Sequence, residues 1–239
     1  LDSAKTKKIF NSLERHYKDN TDYNSNLSGI MDVLIATKLS QNTTDRTSYI
    51  AFRNLKNKFR NWENVMNARV SDIRKEIKIC GLSEIKASDI KNMLKEMMKK
   101  HNTLDIEFLR NMSDDEIYEE LTSYKGIGYK TVTCVLAFAM NRDVFPVDTH
   151  VHRVMNRLGI VKTNSPEKTF TEAKRIIPDG KKQFFHRAFI KFGRNICMAR
   201  NPLCSECFLE GLCEYPDKNL SPKINSIKKK NDFLILDNI

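Results

Sequence analysis

The 239-residue chain is predicted to be all-α on three observations: apolar residues recur at helical spacing along much of it, helix start signals precede those stripes, and strand-like alternation is almost absent. Glycine and proline are sparse, at 8 and 6 residues, which disfavours an architecture of many turns. Counting the periodic segments gives about ten helices.

Taken in order, Ser28 is expected to cap an apolar helix, Ile30–Leu39. Tyr49, Phe52, Leu55 and Phe59 form one helical stripe, and Ile90, Met93, Leu94, Met97 and Met98 another; both read as core. Ser113-Asp114-Asp115-Glu116 reads as a capping box ahead of Ile117 and Leu121. The run 131–140 is long and apolar enough to be a buried helix. Asp143-Val144-Phe145-Pro146-Val147 is the one candidate strand. Val151, Val154, Met155 and Leu158 share a helical face that Gly159 stops, and Ser165-Pro166-Glu167 places proline at a first helical position. After Cys213, Lys228-Lys229-Lys230 and Phe233-Leu234-Ile235-Leu236 read as an appended tail.

Forty-one Lys and Arg against 30 Asp and Glu give a formal net charge of +11, which suits a polyanionic partner but also a bland basic protein of a Lys-rich, Asn-rich proteome. No stretch reaches the length of an apolar membrane span, and the first residues carry charges without an apolar core behind them, so neither a span nor a secretory signal is expected. The expected location is intracellular: cytoplasm or nucleoid, or the nucleus of a eukaryote. In a reducing compartment, clustered cysteines point to a metal or cluster rather than disulfides.

Three motifs carry chemistry. Tyr124-Lys125-Gly126-Ile127-Gly128-Tyr129 is a glycine hairpin whose amides near Gly126 and Gly128 can face a phosphate, and Lys130 follows at the start of the buried helix. The positive helix end and the desolvation of a buried setting both favour the neutral amine that a nucleophile needs. Alternatively, Lys130 grips phosphate in a non-catalytic hairpin. Asp148, in Val147-Asp148-Thr149-His150, is a candidate acid or a helix cap. Cys197, Cys204, Cys207 and Cys213 are spaced C-x6-C-x2-C-x5-C, four thiolates for either one tetrahedral zinc or an iron–sulfur cube; Cys80 and Cys134 read as inert core.

These residues resemble the endonuclease III family of the helix-hairpin-helix superfamily of DNA glycosylases. The likeness rests on Gly126-Ile127-Gly128-Tyr129-Lys130-Thr131, Val147-Asp148-Thr149-His150-Val151-His152-Arg153-Val154 with Arg157-Leu158, Leu39-Ser40-Gln41-Asn42-Thr43-Thr44-Asp45, Gly81-Leu82 with Lys86-Ala87, and the cysteine loop, over roughly residues 5–215. The resemblance implies two helical lobes with a DNA-binding cleft between them: a six-helix barrel with the helix-hairpin-helix at 24–142, an iron–sulfur lobe from 1–23 and 143–215, and a tail at 216–239. It implies a [4Fe-4S] cluster on the four cysteines. It implies a monomeric base-excision enzyme on double-stranded DNA, removing oxidised pyrimidines as a glycosylase and cutting the strand as an abasic-site lyase. Lys130 and Asp148 are then catalytic. Gln41 or Asn42 fills the space of the extruded base, Leu82 wedges the opposite strand, and Gly126, Gly128, His150 and Arg200 contact DNA. The alternatives are another lesion (uracil, a mismatched or an oxidised purine base) and a non-catalytic DNA-binding module.

Overall fold

In the computed structural model the described residues are 3–18, 28–221 and 232–239. Eleven α-helices occur among them: α1 Ser3–Tyr17, α2 Ile30–Leu39, α3 Asp45–Phe59, α4 Trp62–Asn67, α5 Val70–Ile77, α6 Ser83–His101, α7 Asp114–Thr122, α8 Tyr129–Cys134, α9 Thr149–Arg157, α10 Pro166–Ala173 and α11 Lys182–Asn195. No strand occurs among the described residues. The expected strand at 143–147 is instead an extended connection. Phe145 and Val147 are buried, but the Pro146 carbonyl accepts from His186 Nδ1 at 2.8 Å rather than from a neighbouring strand.

The chain divides into two compact units, one of 24–142 with 233–239 and one of 1–23 with 143–232. In the first, α2 is the axis. Nine of its ten residues are buried, as expected of a helix that is apolar almost all round, and it packs against α3, α6 and α8. Its predicted cap differs: Gly29, not Ser28, precedes the helix without a side-chain cap, and the Glu107 carboxylate accepts from Ile30 N at 2.8 Å. A distant acid thus satisfies the amide that a local hydroxyl was expected to take. The capping box at Ser113 and Glu116 forms as read, and Thr44 and Asn61 cap α3 and α4 through their side chains. The apolar run 131–140 is not one α-helix. After α8 the residues Val135–Ala139 widen into a π-helical turn, and Arg110 Nη1 donates to the Ala139 carbonyl at 2.7 Å where the ladder ends.

The tail is divided between the units. Residues 233–239 belong with the first: Leu234 and Ile235 are buried, the Phe233 ring meets Tyr49 at 5.4 Å, and Ile235 N donates to Asp45 Oδ2 at 3.3 Å. Lys228-Lys229-Lys230 lie outside the described residues.

The second unit is built on an aromatic cluster, with Phe10 of α1 4.7 Å from Phe185 and Phe145 6.1 Å from Phe189 of α11. The α9 stripe of Val151, Val154 and Met155 packs on α10 and α11. Gly159, at φ +72°, ends α9 in the left-handed region, where a side chain would also collide with Glu214.

Candidate active site

In the 24–142 unit, the hairpin joins α7 to α8. Ile127 N donates to the Tyr124 carbonyl at 3.1 Å and the buried Ile127 side chain anchors the turn to the core. Only Gly126 takes the left-handed conformation, at φ +78°; Gly128 is extended at φ −107° and caps α8. Among the described residues, nothing beyond its chain neighbours stands within 4 Å of a Cβ on Gly128, so the turn itself does not require glycine there. Lys130 is the second residue of α8 and is half-buried, its carbonyl accepting from Thr133 Oγ1 at 3.0 Å.

The end of α2 reaches this hairpin. Lys38 is almost wholly buried; its Nζ lies 3.3 Å from both Asp89 Oδ2 and the Lys125 carbonyl, and a Cβ on Gly126 would collide with it. Gln41 Nε2 donates to the Gly126 carbonyl at 3.3 Å. Asn42 is exposed in the left-handed conformation at φ +54°, so the two candidate gap-filling side chains differ: Gln41 rests on the hairpin and Asn42 projects from the loop.

Leu82 stands ahead of α6 at φ +47°, uncommon for leucine, and is 54 % exposed. The strain and the exposure hold an apolar side chain out to solvent with Ile79 and Ile85, also exposed, on either side in sequence. Behind it the buried Lys86 donates from Nζ to the Leu39 carbonyl at 2.8 Å and the Cys80 carbonyl at 2.9 Å. Burial holds the Lys86 ammonium below the ordinary lysine range, although Cys80 opposes this. One side chain therefore ties the loop carrying Gln41 and Asn42 to the loop carrying Leu82.

In the other unit, Asp148 caps α9, its Oδ1 accepting from Val151 N at 2.8 Å. His150 in the first turn accepts at Nδ1 from Arg153 Nη2 at 3.2 Å, since a guanidinium only donates. Arg153 also donates to the Gly193 carbonyl at 2.9 Å and the Cys197 carbonyl at 3.1 Å. A Cβ on Gly193 would stand 3.2 Å from His150 Cβ and from Arg153 Nη2, so the glycine lets α9 approach α11 closely.

The four motif cysteines are half-buried around one cavity with Leu158, Phe192 and Tyr215 on its wall. Cys80 and Cys134 are buried far along the chain from it. Four sulfurs bound to one zinc at ~2.3 Å would lie within about 4 Å of one another. Among the described residues, no three His, Cys, Asp or Glu side chains converge to hold a single ion. Burial pushes the Cys207 thiol up to about 11 against the hydrogen bond from Leu209 N, with Cys213, Cys197 and Cys204 adding to the rise. Four thiols around one shared apolar cavity are a donor set that suits an iron–sulfur cube, one thiolate capping each iron. A bound [4Fe-4S] group would be held by Cys197, Cys204, Cys207 and Cys213 and would cross-link the loop. The chain's own support is in place: Leu209 N donates to Cys207 Sγ at 3.4 Å, and Arg157 Nη1 donates to the Met198 carbonyl at 2.7 Å while its guanidinium lies 4.1 Å over Tyr215. Arg200 is exposed on the loop between the first two cysteines.

Sequence reasoning assigned no task to Lys38, Lys86, Arg153 or Arg157. The first had a visible signal, a lysine near the end of a mostly apolar helix. The two arginines lie in the quoted motif, but nothing local shows that their partners are carbonyls about 40 residues away.

Residues 35–179 match the HhH-GPD superfamily of base excision DNA repair proteins, and 197–213 match the iron–sulfur binding domain of endonuclease III. The chain belongs to the HhH-GPD superfamily. Endonuclease III of Thermotoga maritima is 36% identical over 77% of this chain and 82% of its own length. A putative DNA glycosylase of Arabidopsis thaliana is 39% identical over 74% of this chain, which spans 58% of that relative. A solved structure of a non-covalent endonuclease III–DNA complex superposes with TM-score 0.74 at 28% identity, covering 87% of this chain and 95% of the other. Within the superfamily this is a member of the endonuclease III family, a DNA glycosylase of base excision repair with the family's [4Fe-4S] loop.

Proposed function

We propose that the protein acts as a monomer on double-stranded DNA, removes oxidised pyrimidines, and cuts the resulting abasic strand through Lys130. The observation that carries this reading is a lysine held half-buried in the first turn of α8, directly behind a glycine turn, in a chain of this family. The damaged nucleotide must leave the stack, at a cost of a few kcal/mol that a lesion reduces. Hairpin amides hold phosphate without reading sequence, Asn42 or Gln41 fills the vacated space, and Leu82 enters from the opposite strand. His150 and Arg200 add further contacts to DNA.

Neutral Lys130 Nζ attacks C1′ of the extruded nucleotide, the glycosidic bond breaks, and the base leaves with the bonding pair and takes up a proton. The lysine nitrogen then loses a proton and the C1′–O4′ bond opens, O4′ gaining a proton, which gives an imine. Loss of a C2′ proton breaks the C3′–O3′ bond, the electron pair leaving with the phosphate, and water later releases the amine. Asp148 balances positive charge developing on the sugar and assists these proton transfers.

Borohydride trapping of a covalent adduct on abasic DNA tests the nucleophile. Lys130→Ala should abolish trapping while the duplex still binds; undiminished strand cleavage by that variant would place the nucleophile elsewhere, with Lys125 the first suspect. Asp148→Asn separates cap from catalyst, because asparagine caps a helix about as well as aspartate. Thermal stability should hold while the excision rate falls at least 100-fold, the usual scale of a lost acid–base group. Equal losses of both would assign Asp148 to α9 alone.

A further inference from the structure

The hairpin is braced from beneath by a buried cation that the reaction itself does not use. Lys38 is the one charged residue on the buried surface of α2, and a buried ammonium is expensive unless it is paired and hydrogen-bonded. Its partners are therefore informative: Asp89 of α6 on one side and the main-chain carbonyl of Lys125 on the other. One residue further along, the Gly126 carbonyl is taken by Gln41. Two successive hairpin carbonyls are thus drawn toward the end of α2. A peptide whose carbonyl points down presents its next amide upward, so pinning the Lys125 oxygen fixes the direction of the Gly126 amide, while the following amide, Ile127 N, closes the turn on the Tyr124 carbonyl. Lys125 Nζ, highly exposed, lies 4.0 Å from the other Asp89 oxygen, so the turn holds two ammonium groups against one carboxylate. The glycine at 126 is what lets the buried amine come so close to the turn.

We propose that Lys38 is a positioning residue for the DNA-binding hairpin: it orients the Lys125–Gly126 peptide for phosphate and adds positive charge directly beneath it. This rests on the reading of the hairpin as a phosphate grip. Lys38 touches neither DNA nor the reacting sugar, so its effect belongs to binding rather than to the chemical step.

The test uses the full chain and a duplex carrying a tetrahydrofuran abasic-site analogue, with affinity measured across a salt series. Lys38→Met keeps the buried stem and removes the ammonium. Kd should rise about tenfold and the slope of log Kd against log salt should become shallower by about one phosphate, ~0.9. The single-turnover rate at saturating enzyme should stay within twofold. A purely structural lysine would lower the melting temperature and leave both Kd and slope unchanged, and that result in a folded variant overturns the proposal. If Lys38→Met does not fold, Asp89→Asn, which releases the ammonium from its partner, takes its place: a salt slope equal to wild type overturns the proposal there too. Gly128→Asp isolates the underlying reading, because the open space at Gly128 accepts a side chain while the carboxylate repels phosphate. Unchanged binding by Gly128→Asp removes the phosphate grip itself. Weak binding by Gly128→Asp beside normal binding by Lys38→Met removes only the brace.

Discussion

Replacing Lys86 with methionine isolates the tie between the two loops proposed to enter DNA. The ammonium donates to the carbonyls of Leu39 and Cys80, which end α2 and the turn before Gly81. Methionine fills similar space but donates nothing, so two buried carbonyls lose a charged donor. Each unsatisfied group costs ~1–3 kcal/mol, and sparing the desolvation of the ammonium offsets part of the total, leaving a net loss of about 3 kcal/mol. For a chain of this length each kcal/mol corresponds to roughly 2–4 °C, so the melting temperature should fall by about 6–12 °C. Urea titration gives the free energy directly, with the m-value unchanged if only the folded state is affected. A loss below about 0.5 kcal/mol would refute the reasoning, since it would mean that water or a neighbour replaces both bonds at no cost.

Two further outcomes follow from the 143–232 unit. Burial holds the His152 imidazole below its ordinary value, against the weaker pull of Glu167, while Nδ1 sits 2.7 Å from Thr169 Oγ1. A folded pKa below the unfolded one means that the unfolded chain binds the proton first, so this contribution is full above about pH 6.5 and is lost as pH falls through the folded value. Thermal melts from pH 8 to pH 5 should show that decline and a His152→Gln variant should flatten it; parallel profiles would remove His152 as the cause. Arg157→Ala deletes the donors to Met198 and Ala199 and the stacking on Tyr215, and should cost about 2–3 kcal/mol. The purified variant should also lose visible iron–sulfur absorbance on dilution faster than wild type; equal retention would show that the cysteines hold the loop without this arginine.

Much of the fold was legible because its signals are local. The stripes at 49–59 and 151–158 and the capping box at Ser113 depend on residues within a turn or two, and they appear as read. The misreadings were set by distant partners. Ser28 lost its role to Glu107, 77 residues from Ile30, and the candidate strand at 143–147 found a histidine side chain rather than a neighbouring strand. The widened turn at 135–139 leaves no mark in an apolar run, since periodicity says which residues are buried and not how the ladder closes. At the candidate site the motifs point to residues with reactive side chains, whereas Lys38, Lys86, Arg153 and Arg157 are distinguished by hydrogen bonds to main-chain oxygens, which no side-chain pattern encodes.

The brace beneath the hairpin also bears on how the chain assembles. Lys38 and Gln41 meet Lys125 and Gly126 across sequence separations of 87 and 85 residues, whereas the turn between α7 and α8 closes over a handful. The turn can form early and cheaply; its orientation is set only when the chain has closed that long loop, the kind of non-local step that slows folding. A peptide spanning α7 to α8 alone would therefore carry every residue of the motif in the right order and still lack the scaffold that aims it.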